Sequence, residues 1–366
     1  MKVFILADAS CVHTQRWANS LVNRDIDIYI FSLSKYDKKL YDPRISIYDY
    51  GYDRKDTNIY GYNWNKLRYL FSIKKIKKII REIQPDILHA HYASSYGLLG
   101  ALCNFHPYII SVWGTDVFDF PRFSSLHRFS FQFALNKADI ILSTSHIMAE
   151  ETQKYTSKTI LETPFGIDPK VFYNRKYDRD FKEIVIGTVK TLDPKYGIDI
   201  LILAFKLLCE EIRSVSLKLY IVGEGEQRGE LEKLVGENNN VIFMGHQSHE
   251  KIPILLNRMD IYAALSKFDS ESFGVAIIEA SACELPVVVS DVGGLPEVVS
   301  DGETGIVVGK NDIQGAKEAL KELVLNHKLR EKMGKAGRDY VINKNNYDLT
   351  ENVIEDKTRM LATEFA

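Results

Sequence analysis

The chain has 366 residues, 45% hydrophobic and 26% charged, which excludes a disordered protein. It is too long for one ordinary core, so two domains are expected. No apolar run reaches the ~18 to 20 residues that a transmembrane helix needs. The four cysteines form no Cys-x-x-Cys pair and no metal-ligand spacing, as in a reduced cytoplasmic protein. The net charge of −2 hides an asymmetry: residues 1–175 carry 23 Lys/Arg against 17 Asp/Glu, and residues 176–366 carry 24 against 32. A basic half suits an anionic partner, either a membrane surface or a phosphate-bearing substrate. Nucleic acid is not expected, since no recognition motif accompanies the cations.

In chain order, MKVFILADAS opens as a short buried strand ended by Asp8, without the length or cleavage site of a signal peptide. Strands follow at Val3–Leu6, Ile28–Phe31, Ile87–His89, Tyr108–Val112, Ile140–Ser143 and Ile160–Glu162. They alternate with helices near Thr14–Asn23, Lys66–Ile83, Gly97–Cys103, Phe129–Asn136 and Met148–Tyr155. This alternation predicts an α/β protein with a parallel, doubly wound sheet. The first strand-to-helix turn holds His13, Arg16 and Trp17; His91, Tyr92 and Tyr96 follow the third strand. ISVWGTDVF then ends a strand on Trp113, Gly114, Thr115 and Asp116, and Asp116 either caps the turn or faces a ligand.

Two prolines and a dense charge cluster break the pattern over residues 163–183. The linker is taken as 166–183, between domains 1–165 and 184–346. The second round has strands Ile184–Thr188, Leu217–Val222, Val241–Met244, Ile261–Leu265, Val287–Ser290 and Ile306–Val308, with helices near Ile198–Ile212, Gln227–Gly236, Lys251–Asn257, Val275–Cys283 and Ile313–Asn326. A last helix is expected near Tyr347–Leu361, within residues 347–366. Gly223, Gly225 and Gly229 in IVGEGEQRGELEKL suggest an alternative, a nicotinamide-dependent oxidoreductase. Their spacing is one residue longer than the dinucleotide fingerprint, and the next strand ends at Met244 and Gly245 with no ribose-binding acid. Asp25/Asp27 and Asp178/Asp180 fall in a surface turn and in the linker, so no metal site is expected.

The richest stretch is ESFGVAIIEASACELPVVVSDVGGLPEVV, residues 271–299: a turn, a helix, a buried strand and a Gly-Gly turn. Glu271 and Glu279 lie eight residues apart, about 12 Å at helical rise. That separation suits a ligand lying along the helix, polyhydroxylated at both ends and anionic in the middle, its anion against the helix N-terminus.

This block resembles the donor signature of the retaining glycosyltransferases of family 4, which have the GT-B fold of two Rossmann-like domains across a cleft. The resemblance implies that Glu271 holds the donor sugar and Glu279 the ribose. Ser272, Phe273, Gly274 and Val275 would supply backbone groups to sugar and phosphate, with the Gly223 and Gly245 turns beside them. Lys195 matches the lysine of the family's diphosphate clamp, and Lys190 stands where many members have Arg, giving a point charge without a bidentate fork. Trp113 stands where many members have a His often treated as catalytic, which leaves Asp116 as the polar group toward the sugar. The family's Gly-Gly pair is missing from the first loop, where His13 and Arg16, with His91, Tyr92 and Tyr96, would face the acceptor. The last helix would pack back on the first domain.

The activity implied is transfer of a hexose or N-acetylhexosamine from a nucleotide diphosphate sugar, UDP preferred over GDP, to a glycan or lipid-linked acceptor of the cell envelope. No cofactor and no metal are implied. A catalytically dead nucleotide-sugar binding protein is a further alternative. Finally, Lys66, Arg68, Lys74, Lys75, Lys77, Lys78 and Arg81 with no acid among them, and the patch Arg122, Phe123, Leu126, Arg128 and Phe129, predict peripheral docking on anionic lipid at the inner face of the membrane.

Overall fold

The computed structural model describes residues 1–53, 64–175 and 183–345, with isolated positions near the C-terminus, and no side chains for 64–67. Two compact units emerge, Met1–Pro164 with Thr350–Ala366, and Phe165–Leu349.

The first unit holds a seven-stranded sheet in the order β3-β2-β1-β4-β5-β6-β7. Its strands are β1 Lys2–Leu6, β2 Asp27–Ser34, β3 Ser46–Tyr52, β4 Ile87–His91, β5 Tyr108–Val112, β6 Ile140–Ser143 and β7 Ile160–Glu162. Every pairing is parallel, and central strands such as β4 and β5 are buried along their whole length. That is why they read as unbroken apolar runs. The order reverses between β1 and β4, the topological switch of a doubly wound sheet, so ligands are expected beyond the strand C-termini there.

The second unit repeats the plan with six parallel strands in the order β10-β9-β8-β11-β12-β13. They are β8 Glu183–Val189, β9 Ser216–Val222, β10 Val241–Gly245, β11 Ile261–Ala264, β12 Val287–Ser290 and β13 Gly305–Val308. Helices Ile198–Glu211, Arg228–Val235 and Ile313–Leu325 build the core on one face, and Ile252–Leu256 and Val275–Ala282 on the other. The switch point lies between β8 and β11.

Several elements differ from the sequence reading. Strand β3 went unread because SIYDYGY is only half-buried at the sheet edge and has no aliphatic run. The helix expected over Lys66–Ile83 is a 3-10 segment, Trp64–Ser72, followed by an α-helix, Ile73–Ile83. The Ser72 hydroxyl donates to the Tyr69 carbonyl at 2.6 Å where the two meet. A 19-residue helix, His327–Asn345, also went unread. It has a weak apolar stripe and two internal glycines; a Cβ at Gly334 would collide with the Glu284 carbonyl, so glycine there lets the helix approach its neighbour closely. Within the segment 166–183, Ile167 and Phe172 are 1% exposed in the second unit's core, and 176–182 lie outside the described residues. Near the C-terminus, Glu355 accepts from Arg24 at 2.8 Å, and Arg359 donates to the Arg24 carbonyl at 3.2 Å.

Candidate functional site

In the second unit the sequence-predicted residues gather at the ends of β8 and β11. Lys190 directly follows β8, and its amide donates to Val222 O at 3.0 Å. A Cβ at Gly223 (φ +143) would collide with the Lys190 carbonyl, and one at Gly225 with the Leu192 carbonyl. These glycines therefore let the loop after β9 close on the lysine loop, a role that needs no bound dinucleotide. Gly229, third in the pattern, faces open space. Gly223 N–H in turn donates to Gly245 O at 2.9 Å, joining the ends of β9 and β10.

The loop 271–274 is fixed from behind. Gly294 N–H donates to Glu271 O at 2.9 Å, and side chains at Gly293 or Gly294 would strike the carbonyls of Glu271 and Ser272. Phe273 is buried edge-on to Phe165, with ring centroids 5.8 Å apart. Gly274, at φ +90, turns the chain into the helix Val275–Ala282, and its carbonyl accepts the first helical bonds, from Ile277 and Ile278. The amides that open such a helix, here those of Val275 and Ala276, precede the first intrahelical bond, and the dipole behind them favours an anion.

An ion pair and a histidine–carboxylate hydrogen bond occupy this region. Lys190 Nζ donates to Glu271 Oε1 at 2.7 Å, both side chains 10% exposed. His249 Nε2 meets Glu279 Oε1 at 2.9 Å, with Glu279 5% exposed. Lys195 joins the first pair through Tyr196: the ammonium groups of Lys190 and Lys195 each lie 4.7 Å from that ring's centroid. The structure thus brings Lys190 and Lys195 to one ring and Glu271 to Lys190. His249 was missed, because a histidine in a loop after a strand carries no periodic signal.

In the first unit, His13, His91 and Trp113 do converge. Ring centroids of His91 and Trp113 are 4.6 Å apart, and those of His13 and Trp113 5.9 Å. Arg16 lies one turn after His13 on the helix Val12–Val22, half-buried. Beneath, Trp17 stacks edge-on to both His89 and His91 at 5.1 Å. Burial pushes His89 down to about 3 and His91 well below the usual histidine range. His89 bonds Ser111 Oγ at 2.8 Å, whereas both ring nitrogens of His91 are buried without a hydrogen-bond partner among the described residues.

Tyr92 has φ +78, a rare conformation for a bulky residue, and its hydroxyl meets that of Thr115. Tyr96 does not join the group: it is 7% exposed and its oxygen accepts Leu33 N–H at 3.1 Å. Asp116 is fully buried and accepts backbone N–H groups from Ala93 at 2.8 Å, Trp113 at 3.1 Å and Gly114 at 2.9 Å. It ties the loop after β5 to the end of β4 from inside the short helix Thr115–Phe118, whose N-cap is Gly114. Burial pushes its carboxyl up to about 6, against the pull of those amides.

Comparison with known proteins bears on the family and the fold. Residues 171–340 match the family model "Glycosyl transferases group 1", and residues 2–145 match "Glycosyl transferase 4-like". The chain belongs to the GT-B glycosyltransferases of the group 1 and 4-like type. An uncharacterised glycosyltransferase of Methanocaldococcus jannaschii is 27% identical over 87% of this chain and 85% of its own. Among solved structures, sucrose-phosphate synthase from Thermosynechococcus elongatus superposes with a TM-score of 0.85 at 17% identity, covering 100% of both chains. HepE from Anabaena, in complex with UDP and glucose, gives 0.78 at 17% identity, covering 98% of this chain and 99% of its own. At such identity these structures speak for the fold. With glycosyltransferase relationship established, the oxidoreductase alternative falls, as the role of Gly223 and Gly225 had indicated.

Asp25 and Asp27 are exposed, one in the turn before β2 and one at its first residue; Asp178 and Asp180 lie outside the described residues. No helix among the described residues is long and apolar enough to cross a membrane.

Proposed function

We propose that this glycosyltransferase is a retaining enzyme that moves a hexose or N-acetylhexosamine from a nucleotide diphosphate sugar, UDP preferred over GDP, to a glycan or lipid-linked acceptor. The observation that carries the reading is the Lys190–Glu271 ion pair, in which Glu271 lies in the loop leading into the helix that bears Glu279 and Lys190 shares the Tyr196 ring with Lys195. Glu271 then holds sugar hydroxyls, Glu279 holds the ribose, and the lysines with the helix N-terminus hold the diphosphate. In HepE the same fold accommodates UDP and glucose.

In this reading the bond from the anomeric carbon to the phosphate oxygen breaks first. The lysines and first-turn amides offset the charge that grows on the leaving diphosphate. The acceptor oxygen bonds the anomeric carbon from the same face, and its proton passes to the departing phosphate oxygen. Among the described residues no second carboxylate is identified as a covalent nucleophile, which favours this same-face route. His13, Arg16 and Trp113 of the first unit form the acceptor-side surface, with His91, expected there from the sequence, instead buried against the Trp113 ring, and Asp116 holding the loop that carries Trp113. The departure is assigned to protein cations without a metal. Incubation with a panel of UDP- and GDP-sugars, followed by glycan and lipid-linked acceptors, tests the reading; binding of a donor with neither hydrolysis nor transfer would favour the dead-enzyme alternative.

The place of action is proposed as the inner face of the membrane. Lys74, Lys75, Lys77 and Lys78 are exposed on the helix Ile73–Ile83, and Phe123, Leu126 and Phe129 are exposed at and before the helix Ser125–Lys137. Phe71, beside the lysines, is 73% exposed. Both helices pack on the same core cluster and so lie on one face of the sheet. Arg122 contributes less than expected, since Glu151 pairs with it at 2.9 Å, and the Lys66 side chain lies outside the described residues.

A further inference from the structure

Glu279 lies on the helix Val275–Ala282, and one oxygen of its carboxylate is bonded by His249. That histidine begins the 3-10 turn His249–Lys251, just after β10 at the edge of the sheet. Two elements grip its ring. Phe172, 1% exposed in the core, meets it edge-on with centroids 5.5 Å apart, and Glu279 accepts from Nε2 at 2.9 Å. A carboxylate only accepts, so Nε2 carries the hydrogen. The ring still shows 36% of its side-chain surface to solvent, whereas the Glu279 side chain shows 6%.

We infer that His249 is a positioning residue for nucleotide recognition: it fixes the Glu279 carboxylate in the orientation that meets the two hydroxyls of a ribose. The inference rests on the nucleotide-sugar reading and adds a residue to it. A glutamate free to rotate loses conformational freedom when a ligand orders it, and a partner that orders it beforehand removes that cost. One oxygen held by a charge-assisted bond also aims the other. The expected signature is therefore specific to the ribose: weaker binding of ribonucleotides, poorer discrimination against deoxyribonucleotides, and no effect on the phosphate subsite at Lys190 and Lys195.

Calorimetry on the full chain with UDP, 2′-deoxy-UDP and inorganic pyrophosphate tests this. His249→Phe keeps a ring against Phe172 and removes the donor; His249→Gln places an amide N–H near the position of Nε2. In His249→Phe, UDP should bind roughly five- to tenfold more weakly, the preference for UDP over 2′-deoxy-UDP should collapse, and pyrophosphate binding should not change. His249→Gln should restore most of the loss, and adding Glu279→Gln to His249→Phe should cost little more. His249→Leu takes the place of the Phe variant if that one does not fold. The inference is overturned if the donor-less variant keeps its UDP affinity or its ribose preference, or loses pyrophosphate binding in step with UDP. An unaltered protein that binds neither UDP nor GDP overturns the nucleotide reading and this inference together. UDP binding with an indifferent variant overturns the inference alone.

Discussion

The Lys190 ammonium lies 2.7 Å from the Glu271 carboxylate, so the proposed diphosphate cation and the proposed sugar acceptor neutralise each other in the free protein. A diphosphate must win Lys190 from Glu271, and sugar hydroxyls must replace the cation at Glu271. Binding of one half of the donor thereby frees the group needed by the other. Glu271→Gln should tighten UDP binding, by about three- to tenfold, because UDP carries no sugar to use the released carboxylate. The same variant should slow transfer. Calorimetry beside turnover measurements checks both, and weaker UDP binding in Glu271→Gln would contradict the coupling.

The two lysines should differ when removed. Lys190→Ala leaves Glu271 nearly buried without its cation, so it should lower stability by about 1 to 3 kcal/mol as well as turnover. Lys195→Ala, whose side chain among the described residues has the Tyr196 ring contact to lose, should reduce turnover with little change in melting temperature. Both should affect turnover more than donor affinity, since negative charge grows as the bond breaks. Activity should survive excess chelator; abolition by chelator with rescue by Mg²⁺ or Mn²⁺ would defeat departure without a metal.

Gly294→Ala should damage the donor site from behind. The added Cβ meets the Ser272 carbonyl, a backbone atom that can move only by shifting the loop between β11 and the helix Val275–Ala282. Activity should fall at least tenfold with the circular dichroism spectrum retained. Gly229→Ala, whose Cβ meets open space, is the control.

Acid should weaken the first unit through its buried histidines. The folded-state pKa of His89 is depressed to about 3, against about 6.5 unfolded, so the unfolded chain binds more protons between those values. Stability from this group is full above about pH 6.5 and is lost as pH falls toward 3. His91 acts in the same direction. Asp116, raised to about 6, acts oppositely, losing stability as pH rises from about 4 to 6. His89→Gln should flatten the acid limb of denaturant midpoints measured from pH 4 to 7; an unchanged limb would show that the ring is not buried neutral.

Liposome flotation checks the site of action. Binding should require anionic lipid, fade at high salt, and drop when Lys74, Lys75, Lys77 and Lys78 become Ser. A protein that ignores anionic liposomes at low salt would indicate a soluble acceptor.

Local pattern was enough to locate most strands and helices, because buried parallel strands are continuous apolar runs and their helices have marked ends. Glu271, Ser272, Phe273, Gly274 and Glu279 were legible for the same reason, as one contiguous turn and helix. Elements with weak local signals escaped: β3 at a half-buried edge, and His327–Asn345, whose glycines make sense only against the neighbouring backbone. Only the tertiary structure decided the partners. Lys190 and Glu271 are 81 residues apart, and His249 and Glu279 are 30 apart. Strand order β8–β11 brings the first two together; the turn after the edge strand β10 brings His249 over Glu279. Asp116 likewise read as either a cap or a ligand group until burial and three backbone amides fixed its surroundings. A charge's neighbours depend on how strands order across a sheet, and that order is set by the whole core.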